Sequence, residues 1–427
     1  MPGMNGRDRL EAALNHIQTG RPPIDFGACG QTGISASTLY RLREAMGLPR
    51  KPIKIVEPFQ MLGEVDEDLR QAFGVDVVGL WNQMTFFGFK NENWKPWTMC
   101  DGTPVLMAGG FEYDMDGKGG IWAFPAGDRA APYSLHMPRG GFFFDNIERS
   151  PEVNEEDLAP VSDFKDDFSV PGDEEAKYWE ESSKRLYEET EYGIMGIFGA
   201  AGLGDAAAMP GPFLKNPKGI RSMEGWLMAH LLHPEYIREV FRMQTEAALK
   251  GLEIYREAVG DRIQAIWLSG TDFATQNSAF MSLGTFRDLY KPFYKRINDW
   301  VHKNTKWKTF YHTCGAIEPL IDDFIEMGVD ILNPVQCSAK GMEPQALKDK
   351  YGGRVVFWGG AVDSQSVLPY GAREDVFAQA RERAEIFSKG GGYVFASVHN
   401  VVAKVPPENV IAMFEAANDV DRDRGSQ

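Results

Sequence analysis

With 427 residues the chain can bury a large core, either as two domains or as one barrel carrying insertions. Its 45 Lys+Arg against 61 Asp+Glu leave a net charge of −16, which repels phosphate backbones and anionic lipid and excludes nucleic acid and membrane surfaces as partners. Four cysteines at wide, irregular spacing make no disulfide framework, so the expectation is a cytoplasmic protein acting on small molecules.

Residues 1–10 are polar and lack an apolar signal core, and a helical pattern over 7–17 is stopped by Arg21-Pro22-Pro23. Ile24-Asp25-Phe26-Gly27 reads as a first buried strand. Helical patterns over 37–46 and 64–73 follow, the second leading through Gly74 into a strand over 75–80. Residues 81–146 are rich in Gly, Phe and Trp, with short β-prone pieces at 103–107 and 120–124. They are expected to form a β-hairpin insertion over one mouth of the core. The acidic segment 150–170 reads as a solvated connection. Asp173 reads as the cap of a helix in which Ala176, Trp179 and Leu186 share a face.

The most apolar stretch, 193–214, is broken by Asp205, Pro210 and Pro212, so it reads as a strand and loop with no membrane span. Strands over 192–199, 262–268, 307–312, 329–334, 354–359 and 393–397 then alternate with helical stretches. Of these, 286–301 is expected to kink at Pro292, and Pro406-Pro407 opens a last helix. About eight strand-then-helix units result, the number that closes a barrel. The expectation is an α/β fold: one (β/α)8 TIM barrel domain over 1–427, with the β-rich insertion at about 81–146.

Trp307-Lys308-Thr309-Phe310-Tyr311-His312-Thr313-Cys314-Gly315 is the stretch where chemistry is best placed. Residues two apart on a strand point to one side, so His312 and Cys314 present an imidazole and a thiol together. Ile317, Leu320, Ile321 and Phe324 follow at helical spacing, which puts the pair at the carboxyl end of a strand. Asp272, Asn333, Gln336, Cys337, Asp363 and His399 fall at other such ends. His312, Cys314 and His399 form an N/S/N set for zinc with one position open, which Asp272, Gln336 or Cys337 can complete or orient. The same residues also suit plain roles. Buried His and Cys are common core residues, Asp272 and Asp363 can cap loops, and Asn333 before Pro334 suits a turn. Gly199, Gly202 and Gly204 lie outside the dinucleotide pattern and suit a turn. Spacing alone leaves both readings open.

Five further segments carry a resemblance: Arg21-Pro22-Pro23-Ile24-Asp25-Phe26-Gly27, Thr271-Asp272 with Met281-Ser282, His312-Thr313-Cys314-Gly315, residues 328–336, and Pro407-Glu408-Asn409-Val410. Together they resemble the uroporphyrinogen decarboxylase superfamily, over nearly the whole chain and most closely from Asp261 onward. The resemblance implies a (β/α)8 barrel. True decarboxylases of this superfamily need no metal and grip a tetrapyrrole with arginines after the first strand. Here that place reads Gly27-Ala28-Cys29-Gly30-Gln31-Thr32-Gly33, without an arginine.

The branch of methyltransferases that work with corrinoid proteins carries zinc on a His-X-Cys pair and a later Cys. His312 and Cys314 match the pair, and His399 stands where the later Cys would be. This implies a zinc-dependent methyltransferase that acts with a corrinoid (cobalamin) protein and takes a methyl group from, or gives it to, a small molecule. Asp272 would support the metal ligands or act as an acid/base group, Gln336 would orient a ligand or contact substrate, and a homodimer is compatible with the sequence. The alternatives are a tetrapyrrole carboxy-lyase, with Arg139, Lys215 and Arg221 supplying positive charge, and a barrel that binds a small molecule without chemistry. Zinc-dependent hydrolysis or aldol chemistry would suit the same scaffold.

Overall fold

Seven parallel strands run side by side in chain order: Val77–Leu80, Gly193–Ile197, Ala265–Ser269, Lys308–His312, Ile331–Asn333, Val356–Trp358 and Tyr393–Val394. The computed structural model describes residues 3–150 and 155–420. The gap between the first and last strands is filled by the N-terminal segment, where Ile24 bridges Phe395 and Asp25 bridges Val77, both parallel. That segment is the eighth staff, and it closes the (β/α)8 barrel.

Period-two alternation explains how the barrel fills itself. Val77, Met195, Ala265, Phe310, Ile331, Val356, Trp358 and Val394 form an inner cluster, plugged by Leu10, Ala13 and Leu14 of the helix Gly6–Leu14. The intervening residues, including Val78, Ile194, Ile266, Tyr311, Leu332 and Phe357, face the helical layer and join the larger outer core. His312 and Asn333 lie two residues beyond Phe310 and Ile331. They therefore point inward too, at the carboxyl end, and the strand register places them directly beside each other.

Closure is tied by charge. Asp76 accepts from the Arg21 guanidinium, from Arg9 Nε at 3.3 Å and from the Ile24 amide at 2.9 Å. The side chain of Asp76 is only 6% exposed, so this carboxylate joins the N-terminal segment to the strand Val77–Leu80 inside the protein. Gly79, on Val77–Leu80, sits where an added Cβ would lie 1.9 Å from the Ala28 carbonyl oxygen; a glycine is required there.

Two smaller sheets flank the barrel. One has the order Leu62–Gly63, Ile53–Glu57, Pro104–Met107, Lys95–Thr98. The other is an antiparallel meander of Tyr113–Met115, Ile121–Ala123, Leu135–Met137 and Asp145–Asn146. Most of these strands come from the aromatic 81–146 stretch. Ile53–Glu57, which precedes it, pairs with Pro104–Met107 through Ile53 and Val105. The alternation of Ile53, Ile55 and Glu57 is a legible strand pattern that the chain-order reading passes over. Phe87, Phe89, Phe111 and Phe144 pack edge to face between these elements.

Three local expectations are corrected. Asp173 opens the helix Asp173–Glu189 as its first residue, while Gly172 is the cap and its amide donates to the Glu175 carboxylate at 3.2 Å. Pro292 does not kink one helix; Leu283–Leu289 and Lys291–Asn304 are separate, and Pro292 opens the second, where its missing N–H costs nothing. The acidic connection falls partly outside the described residues, at 151–154. Its remainder contains a helical turn, Pro160–Asp163, and a buried Phe164 rather than only solvated chain. No helix of the described residues is long and apolar enough to cross a membrane.

Candidate metal centre and adjoining cavity

The loop after Lys308–His312 is pinned on both sides. The Cys314 amide donates to Asp272 Oδ1 at 2.6 Å, and the Gly315 amide donates to Gln336 Oε1 at 2.8 Å. Gly315 has φ +94°, and an added Cβ would come within 2.5 Å of the Thr275 carbonyl oxygen. Only glycine fits this turn, which sets Cys314 at the barrel mouth.

Asn333 fixes the imidazole. Its Nδ2 donates to the Trp358 carbonyl at 2.9 Å, so Oδ1 is the atom turned towards His312 Nδ1, 2.5 Å away. The oxygen can only accept, hence Nδ1 carries the proton and Nε2 presents its lone pair. That Nε2 faces Cys314 Sγ at 3.4 Å. His399 completes the group, with its ring centroid 5.2 Å from that of His312. One donor atom from each of His312, Cys314 and His399 lies within 4.8 Å of the others. Asn400, next in sequence to His399, donates from Nδ2 to Gln60 Oε1 and so ties that loop down.

Electrostatics prepare these donors for a cation. Burial holds His312 at about 4, and burial together with neighbouring His312 holds His399 at about 4, so both imidazoles are neutral at pH 7. Burial, then the Asp272 carboxylate, pushes the Cys314 thiol well above its ordinary value. A dication between them would reverse that balance and favour the thiolate. Two imidazoles and one thiolate at a partly open mouth are a fitting donor set for zinc. Asp272 is pushed up by the surrounding protein, though it remains open to solvent on one side, which softens the effect.

The remaining residues flagged in the sequence are engaged in other contacts. Gln336 holds the backbone of Gly315 and is 6% exposed. Cys337 donates from Sγ to the Val335 carbonyl at 3.5 Å, and burial pushes it up to about 11. Asp363 accepts from the Gln365 amide at 2.7 Å and the Ser366 amide at 3.1 Å, the geometry of a loop cap. Cys29 is buried and pushed up to about 12 by burial; Cys100 donates to the Gly141 carbonyl.

Beside the centre lies a cavity of about 520 Å³, walled by the ends of the early strands and by the start of the β-rich stretch. Two acidic residues on its wall, Glu57 and Asp205, carry no sequence signal of function beyond their place next to strand ends. Asp205 lies close enough to Asp272 for that charge to help raise its carboxyl. Gln60 lines the cavity and holds Asn400, linking its wall to the His399 loop.

Arg221 is 1% exposed and saturated. It donates to Asp167 at 2.6 and 3.0 Å and to the Lys218, Met209 and Asp163 carbonyls, with its guanidinium 4.1 Å over the Phe164 ring. Lys215 pairs with Asp128, and Arg139 is exposed on the 138–141 turn.

Among known proteins, residues 214–420 match the family profile described as Uroporphyrinogen decarboxylase (URO-D). No curated protein matches the chain. Among solved structures, a methyltransferase from Methanosarcina mazei superposes with a TM-score of 0.56 over 97% of this chain and 99% of that one. The two are 17% identical, so this likeness is one of fold. The matched residues 214–420, just under half of the chain, carry the strand of His312 and the loops of Cys314 and His399, and it is these that are similar to the uroporphyrinogen decarboxylase (URO-D) family.

Proposed function

We propose that the chain is a zinc-dependent methyltransferase that works with a corrinoid protein and moves a methyl group between its cobalt and a small molecule. The carrying observation is the convergence of His312, Cys314 and His399 within 4.8 Å, with the His312 lone pair already aimed into the group. Zinc held by these three residues would supply Lewis acidity to the heteroatom that bears or receives the methyl group.

The chain's own residues do the rest. Asn333 keeps the proton of His312 on Nδ1, away from the donor face. Asp272 holds the Cys314 backbone through Oδ1, and its solvent-facing side can take or return a proton at the substrate heteroatom. Gln336 fixes the turn at Gly315 rather than reaching substrate through Oε1. Cys314 must stay reduced to serve, which suits a cytoplasmic setting, and the cysteines of the described residues are free. The acidic surface is where we expect the corrinoid protein to be received.

The tetrapyrrole reading is less well supported. A polyanion needs convergent cations, yet Arg221 is consumed internally and Lys215 is paired with Asp128. A purely binding barrel leaves the inward-facing N/S/N group without a role.

The test is methyl transfer to a cobalt(I) corrinoid, followed by its change in absorbance, with candidate donors and with the His399→Ala variant. Methylation that the variant loses by about a hundredfold or more supports the reading. Transfer undiminished in the variant contradicts it.

A further inference from the structure

The cavity beside the metal centre has a consistent chemical character. Aromatic rings dominate its wall, among them Phe59, Trp81, Phe86, Phe198, Phe213 and Trp267. Among the described residues no Lys, Arg or His lines it. Glu57 and Asp205 do, and among the described residues neither makes an ion pair. Their oxygens are held by backbone amides: Glu57 by Phe59 at 2.9 Å and Gln60 at 2.8 Å, Asp205 by Ala207 at 2.8 Å. Amides orient a carboxylate without cancelling its charge. The other acidic residue of the wall, Asp167, is already neutralised by Arg221.

We propose that this cavity binds a small organic cation, an alkylated ammonium group, between its aromatic rings and the carboxylates of Glu57 and Asp205. Aromatic faces carry negative potential and attract a diffuse cation such as a quaternary ammonium, whose methyl groups also suit apolar walls. The same wall repels carboxylates and phosphates, so anionic substrates are rejected. Burial without a counter-charge raises Glu57 to about 7 and Asp205 to about 6, and a bound cation supplies the charge they lack. A volume of about 520 Å³ is that of a small-molecule site.

This deepens the methyltransferase reading and rests on it in one respect: the cationic group anchors a substrate whose methylated heteroatom reaches the centre of His312, Cys314 and His399. Binding energy from such a remote group would orient the reacting end.

The experiment is calorimetric titration of the purified wild-type chain, without corrinoid, using choline, its neutral isostere 3,3-dimethylbutan-1-ol, and benzoate. Choline should bind about tenfold or more tightly than the isostere, and benzoate should not bind. Glu57→Gln and Asp205→Asn should each weaken choline by about tenfold and leave the isostere unchanged. Equal binding of choline and its isostere, binding of benzoate, or no binding of choline would overturn the proposal. The wild-type comparison decides even if a variant misfolds. Repeating the titration with the His312→Ala, Cys314→Ala variant separates the two ideas. Choline binding that survives there shows a cation site independent of the metal centre, and choline binding by wild-type protein that transfers no methyl group keeps the cation site while the methyltransferase reading falls.

Discussion

Asn333 Oδ1 lies 2.5 Å from His312 Nδ1, on the adjacent strand and in register with it. Because the Asn333 amide nitrogen is committed to Trp358, the pair sets the tautomer of the imidazole before any metal arrives. Asn333→Ala should therefore lower zinc affinity by about 10- to 100-fold, read by competition with a chromophoric chelator. An unchanged affinity would show that His312 orients itself.

Asp76 should matter to stability rather than to chemistry. It is the carboxylate that joins Arg21, Arg9 and the Ile24 amide where the barrel closes. Asp76→Ala leaves a largely buried guanidinium without its partner, and the expected loss is about 3 kcal/mol in urea unfolding. A loss below about 0.5 kcal/mol, the level of a surface pair, would mean the network does not hold the closure.

Gly315→Ala should act on the centre through the backbone. The new methyl group would press on the Ala274 and Thr275 carbonyls at 2.6 and 2.5 Å, so the turn must open and carry Cys314 away from His312. Zinc content should fall while the far-ultraviolet circular dichroism stays that of a folded barrel.

The pH dependence of the metal-free protein has a definite sign. His312 is held at about 4 in the fold against 6.5 ordinarily, so between those values the unfolded chain takes up a proton that the native chain refuses. Stability from this residue is full above 6.5 and erodes as the pH falls towards 4. The loss is roughly 3 kcal/mol. His312→Gln should flatten that part of the curve relative to wild type, and relieving His399 of the neighbouring His312 charge acts in the same direction. Parallel curves would show that His312 is not buried as a neutral ring.

Much of this was legible in the residues. Alternation in the Lys308–His312 strand put His312 on the inner face, and barrel closure then brought His399 to it from a distant loop. The orienting role of Asn333 was not legible: Asn333 before Pro334 reads as a turn until the register with His312 is known. Glu57 and Asp205 were hidden for a related reason. Neither stands in a motif, and their meaning comes from the absence of cations around them in three dimensions. The break at Tyr290 was missed because Pro292 signals an irregular helix without saying whether it bends or starts anew.

Elemental analysis of protein purified without added metal decides whether His312, Cys314 and His399 hold zinc. About one zinc per chain is expected, retained through dialysis and lost in the His312→Ala, Cys314→Ala double variant. Well-folded wild-type protein that holds no zinc even after zinc is offered, or a double variant that holds as much as wild type, would contradict it.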